Sequence, residues 1–192
     1  MSASTTRATG DGGVTTDGID FLEELVAIPS LSGAEDAVAA RLADRMRHAG
    51  LRVERDEVGN VIGKLGDRNA PRSIVLLGHM DTVPGHIPVR RAEGWLYGRG
   101  AVDAKGPLAA FVLAVERVRH DLQDMHLMVV GAVEEEARSK GAHHLARTLE
   151  PPDGVIIGEP SGWQGITLGY KGTLSVAYRL ARPAGHGAGD RT

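Results

Sequence analysis

Residues 73–77 read Ser-Ile-Val-Leu-Leu, an uncharged run that passes directly into Gly78, His79, Met80 and Asp81. A short apolar run of this kind is the signature of a buried strand. Side chains two apart on an extended chain share a face. The imidazole of His79 and the carboxylate of Asp81 therefore emerge together where an apolar strand ends. In open α/β sheets that is where ligands bind. The pairing also suits a metal-bound histidine, which binds an ion through one ring nitrogen while a carboxylate on the other fixes tautomer and orientation. A polar turn closing a core strand reads the same over so few residues, so the remainder of the chain decides between them.

The rest of the chain repeats this arrangement. Residues 17–28 read as a helix with Ile19, Leu22, Leu25 and Val26 on one face, ended by Pro29. Ser32 and Glu35 have the spacing of a capping box and open a second helix, with Val38, Leu42, Met46 and Ala49 inward and Gly50 as its stop. Residues 51–58 and 61–65 read as strands joined tightly around Gly59 and Asn60. Residues 89–97 read as a short hairpin turning at Glu93 and Gly94. A Gly-rich polar loop, 98–107, leads into an apolar helix from 108 to about 120, with Pro107 in its first turn. Residues 126–133 form a further strand that runs into Glu134, Glu135 and Glu136. A helix follows over 139–149, then a third short buried strand, 155–157, that ends in Gly158, Glu159 and Pro160. This alternation predicts an α/β fold with a mostly parallel sheet flanked by helices. Residues 166–181 have strand character, with Leu174, Val176 and Tyr178 alternating. Residues 1–16, rich in Ser, Thr, Gly and Ala, read as a disordered tail.

Composition removes whole classes of function. Hydrophobic residues make up 42% and charged residues 24%, enough for a packed core. Net charge is −3, aromatics are 4% and there is no basic run, so nothing points to nucleic acid. No stretch approaches a membrane-spanning length and the N-terminus lacks an apolar signal core, which fits a cytoplasmic protein. Cysteine is absent, which excludes disulfides and thiolate sites and leaves His, Asp and Glu to hold any metal.

The polar strand ends and loops supply His79, Asp81, Asp103, Glu135, Glu136 and Glu159. Such wide separation excludes a local knuckle and suits ligands gathered from several strand ends of one sheet. One histidine among several carboxylates suits zinc, cobalt or manganese. Four carboxylates converging without cations would raise each other's pKa, and two divalent ions relieve that. A paired site activates a bridging water and polarises a carbonyl, and an unligated carboxylate beside it can carry a proton to a leaving amine. Each acid also has an ordinary reading: a glutamate run favouring a helix dipole, an aspartate forming a turn, an exit turn at Glu159. It is their joint placement after apolar strands that points to a site. His48, His120, His126, His143 and His144 read as surface or edge histidines.

Four ordered segments carry a resemblance: Gly78-His79-Met80-Asp81-Thr82-Val83-Pro84, Tyr97 through Asp103 to Gly106, Glu134-Glu135-Glu136, and Gly158-Glu159-Pro160. In this order they resemble the dinuclear zinc metallohydrolases of the aminoacylase, glutamate carboxypeptidase and acetylornithine/succinyl-diaminopimelate deacylase superfamily, from about residue 20 onward. The resemblance implies a catalytic domain over 17–169 and the start of an inserted α/β dimerisation domain over 170–192, with a first strand beginning near Tyr170. It implies two Zn2+, with Co2+ or Mn2+ as alternatives. His79, Asp103 and Glu159 would hold one ion, and Asp103 would bridge to a second that Glu136 also binds. Asp81 would orient His79, and Glu135 would be the general base and acid. A shift by one residue, Glu134 as base and Glu135 as ligand, stays open. His186 would reach a neighbour's site in a homodimer, and the peptide bond after Asp103 would be cis. A late histidine ligand would lie beyond Thr192, so the chain is expected to be the N-terminal portion of the enzyme and inactive alone. The glutamate triplet before Ser139-Lys140-Gly141, residues 83–89 and residues 168–172 resemble the branch that releases lysine or ornithine from an amino-group carrier protein in lysine and arginine biosynthesis. Alternatives are an acetylornithine deacetylase or another N-acyl-amino-acid deacylase or aminopeptidase of the same superfamily, and a non-catalytic metal- or carrier-binding module.

Overall fold

A computed structural model describes residues 16–162, 164–169, 171–172 and 174–181. They fall into two units, the first ending at Pro160 and the second beginning at Ser161.

The first unit is built on a five-stranded sheet. Helix α1 (Thr16–Ala27) is followed by α2 (Asp36–His48), strands β1 (Arg52–Arg55), β2 (Val61–Leu65) and β3 (Arg72–His79), a two-stranded hairpin of β4 (Arg90–Ala92) and β5 (Trp95–Tyr97), then α3 (Lys105–Val118), β6 (Met125–Ala132), α4 (Lys140–Thr148) and β7 (Gly154–Ile157). The strand order is β1-β2-β6-β3-β7. The central strand β3 runs parallel to both β6 and β7, and the antiparallel ribbon β1–β2 is added at the far side of β6. In register His79 lies opposite Ala132 and Leu77 opposite Ile157, so the carboxyl ends of β3, β6 and β7 finish together.

Strand alternation divides the core by face. Leu76, Val61, Leu127 and Val129 point to one face, where Phe21 and Leu25 of α1, Leu42 and Met46 of α2, and Leu108 and Val112 of α3 cover them. Val75, Ile62, Met128 and Val130 point to the other face, where Leu145 of α4 is their buried helical cover. Arg45 binds the three-helix layer together: its guanidinium donates to Asp17 and Glu116 at 2.7 Å each and lies over the Phe21 ring. Helix α2 ends in a Schellman motif. Gly50 takes a φ of +91°, its N–H donates to the Arg47 carbonyl, and the Leu51 N–H donates to the Met46 carbonyl. The β4–β5 turn places Glu93 at φ +52° and Gly94 at φ +80°, the tight hairpin geometry expected there.

Several expectations change. Residues 155–157 are a strand but not a buried one: Ile156 is 54% exposed and Ile157 60%, because β7 is the sheet's edge and pairs on one side only. The β1–β2 connection is a wider loop rather than a two-residue turn. Asp56 organises it by accepting the N–H groups of Val58, Gly59 and Asn60. The capping box before α2 does not form. Glu35 stands at the N-cap without a side-chain cap bond, and Ser32 and Glu35 are used elsewhere. His144 is buried between Asp56 and Glu57, at 3.7 and 3.6 Å, rather than at the surface.

In the second unit the described residues form no strand. Leu168, Leu174, Val176 and Tyr178 are exposed. Alternation makes a strand only where a neighbour completes the ladder, and none of these residues has one among the described residues. Tyr170 and His186 lie outside the described residues. No helix of the described residues is long and apolar enough to cross a membrane.

Candidate metal centre

His79 closes β3 with only 1% of its surface exposed. Its Nδ1 lies 2.9 Å from the main-chain carbonyl of Asp81 and 3.4 Å from that residue's carboxylate. The nearer acceptor fixing the ring is thus a carbonyl. A proton held on Nδ1 by that carbonyl leaves Nε2 as the nitrogen that faces outward, able to bind an ion once its own proton departs. Nε2 faces Asp103 at 3.0 Å, Glu159 at 3.7 Å and Glu135 at 4.0 Å.

The Asp81 carboxylate, fully buried, works mainly on another segment. One oxygen accepts the Glu135 N–H and the other the Glu136 N–H, both at 3.0 Å, and the second also accepts the Ser32 hydroxyl at 2.7 Å. The Glu134 N–H donates to Glu35 at 2.9 Å. Asn60, also fully buried, accepts the Val133 N–H at 3.0 Å and donates to the Gly141 carbonyl at 3.2 Å. Gly141 is required here, because a Cβ would meet the Val133 nitrogen at 2.7 Å. The acid turn after β6 is therefore gripped at both ends and along its middle. Glu135 and Glu136 project into the cluster, whereas Glu134 pairs with Lys140 at 3.5 Å.

Asp103 and Glu159 come from the loops before α3 and after β7. The Asp103–Ala104 peptide is cis. Lys105, the first residue of α3, is buried and donates to the Leu25 and Ile28 carbonyls at 3.0 and 2.7 Å, which ties this loop to the end of α1. Burial pushes the Lys105 ammonium down to about 8. Gly158 donates to the Leu77 carbonyl and leaves no room for a Cβ against Phe111, at 2.8 Å. That close passage delivers Glu159 beside His79. A cavity of about 230 Å³, lined by Val83, Ile87, Arg99, Val102, Asp103 and Glu136, opens on the acids.

The charges explain one another. Burial alone pushes the His79 imidazole down, but the carboxylates of Asp81, Asp103 and Glu159 outweigh it and hold the ring up to about 9. Burial and the neighbouring carboxylates push Glu136 and Glu159 above the usual carboxylate range, against the pull of His79. Asp81 lies below that range. Burial opposes its charge, and His79, the Ser32 hydroxyl and the Glu135 and Glu136 N–H groups overcome that opposition. One imidazole nitrogen facing several carboxylate oxygens that repel each other is a donor set suited to a divalent ion. Two sets of three ligand atoms lie within 4.8 Å of one another: His79 with Asp103 and Glu136, and His79 with Glu135 and Glu159. The two sets share the imidazole and divide the acids differently from the grouping the resemblance implies, which joins Asp103 and Glu159 on one ion.

Ser32, Glu35 and Asn60 escape a reading of the sequence. Their partners lie far along the chain, the Asp81 carboxylate for Ser32 and main-chain groups for Glu35 and Asn60, and the first two imitate a capping box.

Comparison with known proteins identifies the family. The model of peptidase family M20/M25/M40 matches residues 75–186, which include every acid of the cluster. A [LysW]-lysine hydrolase of Deinococcus radiodurans is 49% identical over 176 residues, 90% of this chain and 48% of that protein. A putative [LysW]-lysine/[LysW]-ornithine hydrolase of Pyrococcus furiosus is 45% identical over 174 residues, 91% of this chain and 51% of that protein. The chain thus spans about half the length of the curated relatives it matches. Among solved structures, human carnosine dipeptidase 1 superposes with a TM-score of 0.64 at 25% identity, over 77% of this chain and 39% of that one. Through the family model, these relatives and the shared fold, the chain belongs to peptidase family M20/M25/M40.

Proposed function

We propose that a protein built as these relatives are, carrying this chain as its metal-binding half, is a metal-dependent amide hydrolase. It would release lysine or ornithine from an amino-group carrier protein or a related N-acyl precursor in lysine and arginine biosynthesis, in the cytoplasm. The observation that carries the reading is His79 Nε2 turned toward Asp103, Glu135 and Glu159 at 3.0–4.0 Å. The names of the relatives support the substrate.

His79, Asp103, Glu136 and Glu159 would hold two zinc ions, with cobalt or manganese as substitutes. Bound there, such ions lower the pKa of a water and polarise an amide carbonyl. Glu135, exposed at the mouth of the cluster, would take a proton from the attacking water. It would then deliver that proton to the amide nitrogen as the C–N bond breaks, so that the acyl group leaves as a carboxylate and the amino acid as a free amine. Asp81 would keep His79 and the acid turn in place. His186 of the partner subunit would add a hydrogen bond to the developing oxyanion in a homodimer. Val83 and Ile87 give the mouth an apolar wall against which the alkyl part of a substrate can lie.

The test is release of lysine from a carrier-linked lysine substrate by the zinc-loaded protein at the relatives' full length. Glu135→Gln should lower kcat by at least about a hundredfold while zinc content stays at the wild-type level. Wild-type turnover in Glu135→Gln would remove Glu135 from the mechanism.

A further inference from the structure

We propose that Glu35 is a positioning residue for the metal centre, acting through the main chain of the acid turn rather than as a helix cap. The inference rests on the metal-centre reading above.

Three consecutive N–H groups, those of Glu134, Glu135 and Glu136, end on buried carboxylates: Glu35 at 2.9 Å, then the two oxygens of Asp81 at 3.0 Å each. Glu35 is 5% exposed although it stands at the start of a helix, where a carboxylate would ordinarily face water or cap the first turn. It makes no cap bond. Its neighbour in the same turn, Ser32, also leaves the helix and donates to Asp81. The segment before them is laced to the strand end that carries His79. Ser30 donates to the Met80 carbonyl at 2.8 Å, and the Thr82 N–H donates to the Ser30 carbonyl at 2.8 Å. One short stretch, residues 30–35, thus touches the main chain on both sides of the cluster, at 80–82 and at 134.

The acid turn needs such a hold. Glu134 has a φ of +54°, a left-handed conformation that costs a side-chain-bearing residue energy and is held by its surroundings. A donor pointed at a fixed carboxylate supplies that constraint. Turning the peptide at Glu134 would swing the next two side chains, and these are the ones that enter the cluster. Carboxylate oxygens gathered this closely repel one another. Left to itself the turn would open outward, and Glu35 and Asp81 together oppose that. Glu35 adds a further negative charge within reach of a site already rich in carboxylates, a cost without purpose if it served only the helix.

The experiment compares the wild type with Glu35→Gln, Glu35→Asp and Glu35→Ala by amide hydrogen exchange at Glu134–Glu136, by zinc calorimetry and by the visible spectrum of bound cobalt. Glu35→Gln keeps an oxygen acceptor at the same reach and should match the wild type. Glu35→Asp keeps the charge but falls short of the Glu134 N–H. It should expose that amide to exchange, weaken zinc about tenfold and alter the cobalt spectrum. Glu35→Ala should do the same, and if it does not fold, the Gln and Asp variants decide alone. Folded Glu35→Asp with wild-type exchange, affinity and spectrum would overturn the assignment. So would Glu35→Gln failing as Glu35→Asp does, since charge and not the acceptor would then matter. A wild type that binds neither zinc nor cobalt overturns the metal-centre reading itself, and shows this before any variant is compared.

Discussion

Two rings of carboxylates lie within the same few strand ends, and they are treated in opposite ways. The inner ring, Asp81 and Glu35, is buried, and each member accepts main-chain N–H groups. The outer ring, Asp103, Glu135, Glu136 and Glu159, is more exposed, and its carboxylates face one another and a single imidazole. A buried carboxylate with fixed donors is a structural bond. A group of carboxylates without donors is charge waiting for a cation. The inner ring therefore holds the fold and positions the site, and only the outer ring offers ligands to an ion.

That division predicts effects of different kind and size. The largest should be Asp81→Ala. It leaves the Glu135 and Glu136 N–H groups without their acceptor, at about 1–3 kcal/mol for each buried group. Denaturant unfolding of the metal-free protein should show a loss of at least about 2 kcal/mol. An unchanged midpoint would break the distinction between the rings. The smaller effect lies in the outer ring and has the opposite sign. Glu159→Gln should leave the metal-free protein as stable or more stable by up to about 1 kcal/mol at neutral pH, while weakening zinc.

Measured against pH, the metal-free wild type should show the same opposition. Asp81, held low, contributes stability above the ordinary value of 3.8 that is lost as pH falls through its depressed value. Glu136 and Glu159, held high, weigh against the fold as pH climbs above 4.5 through their raised values. His79 contributes fully below 6.5, and its contribution disappears as pH rises toward 9. Metal-free stability should therefore peak in mild acid and decline from pH 6.5 to 9. Glu159→Gln should lessen the fall above 4.5.

The outer ring was legible in the sequence because each of its acids follows an apolar run or a Gly-rich loop, and a sheet brings such ends together. The parallel core followed from the same alternation. What escaped was whatever depended on a partner distant along the chain. Ser32 and Glu35 have capping-box spacing, and only the fold shows that Asp81 and Glu134 take them instead. Asn60 looks like a turn residue, and its role lies at Val133 and Gly141. Residues 155–157 read as core by composition, yet an edge strand takes its burial from its neighbours, and β7 has one. The period-two pattern of 174–178 has no ladder to join among the described residues.

The central claim is that His79 and the outer acids form a metal centre, and calorimetric zinc titration at pH 7 tests it most directly. Zinc must displace the proton that the acids hold on His79, so binding should release a proton to the buffer. The wild type should bind zinc with that release, and His79→Ala should lose the tight binding. Equal affinity in His79→Ala, or no binding by the folded wild type, would contradict the account.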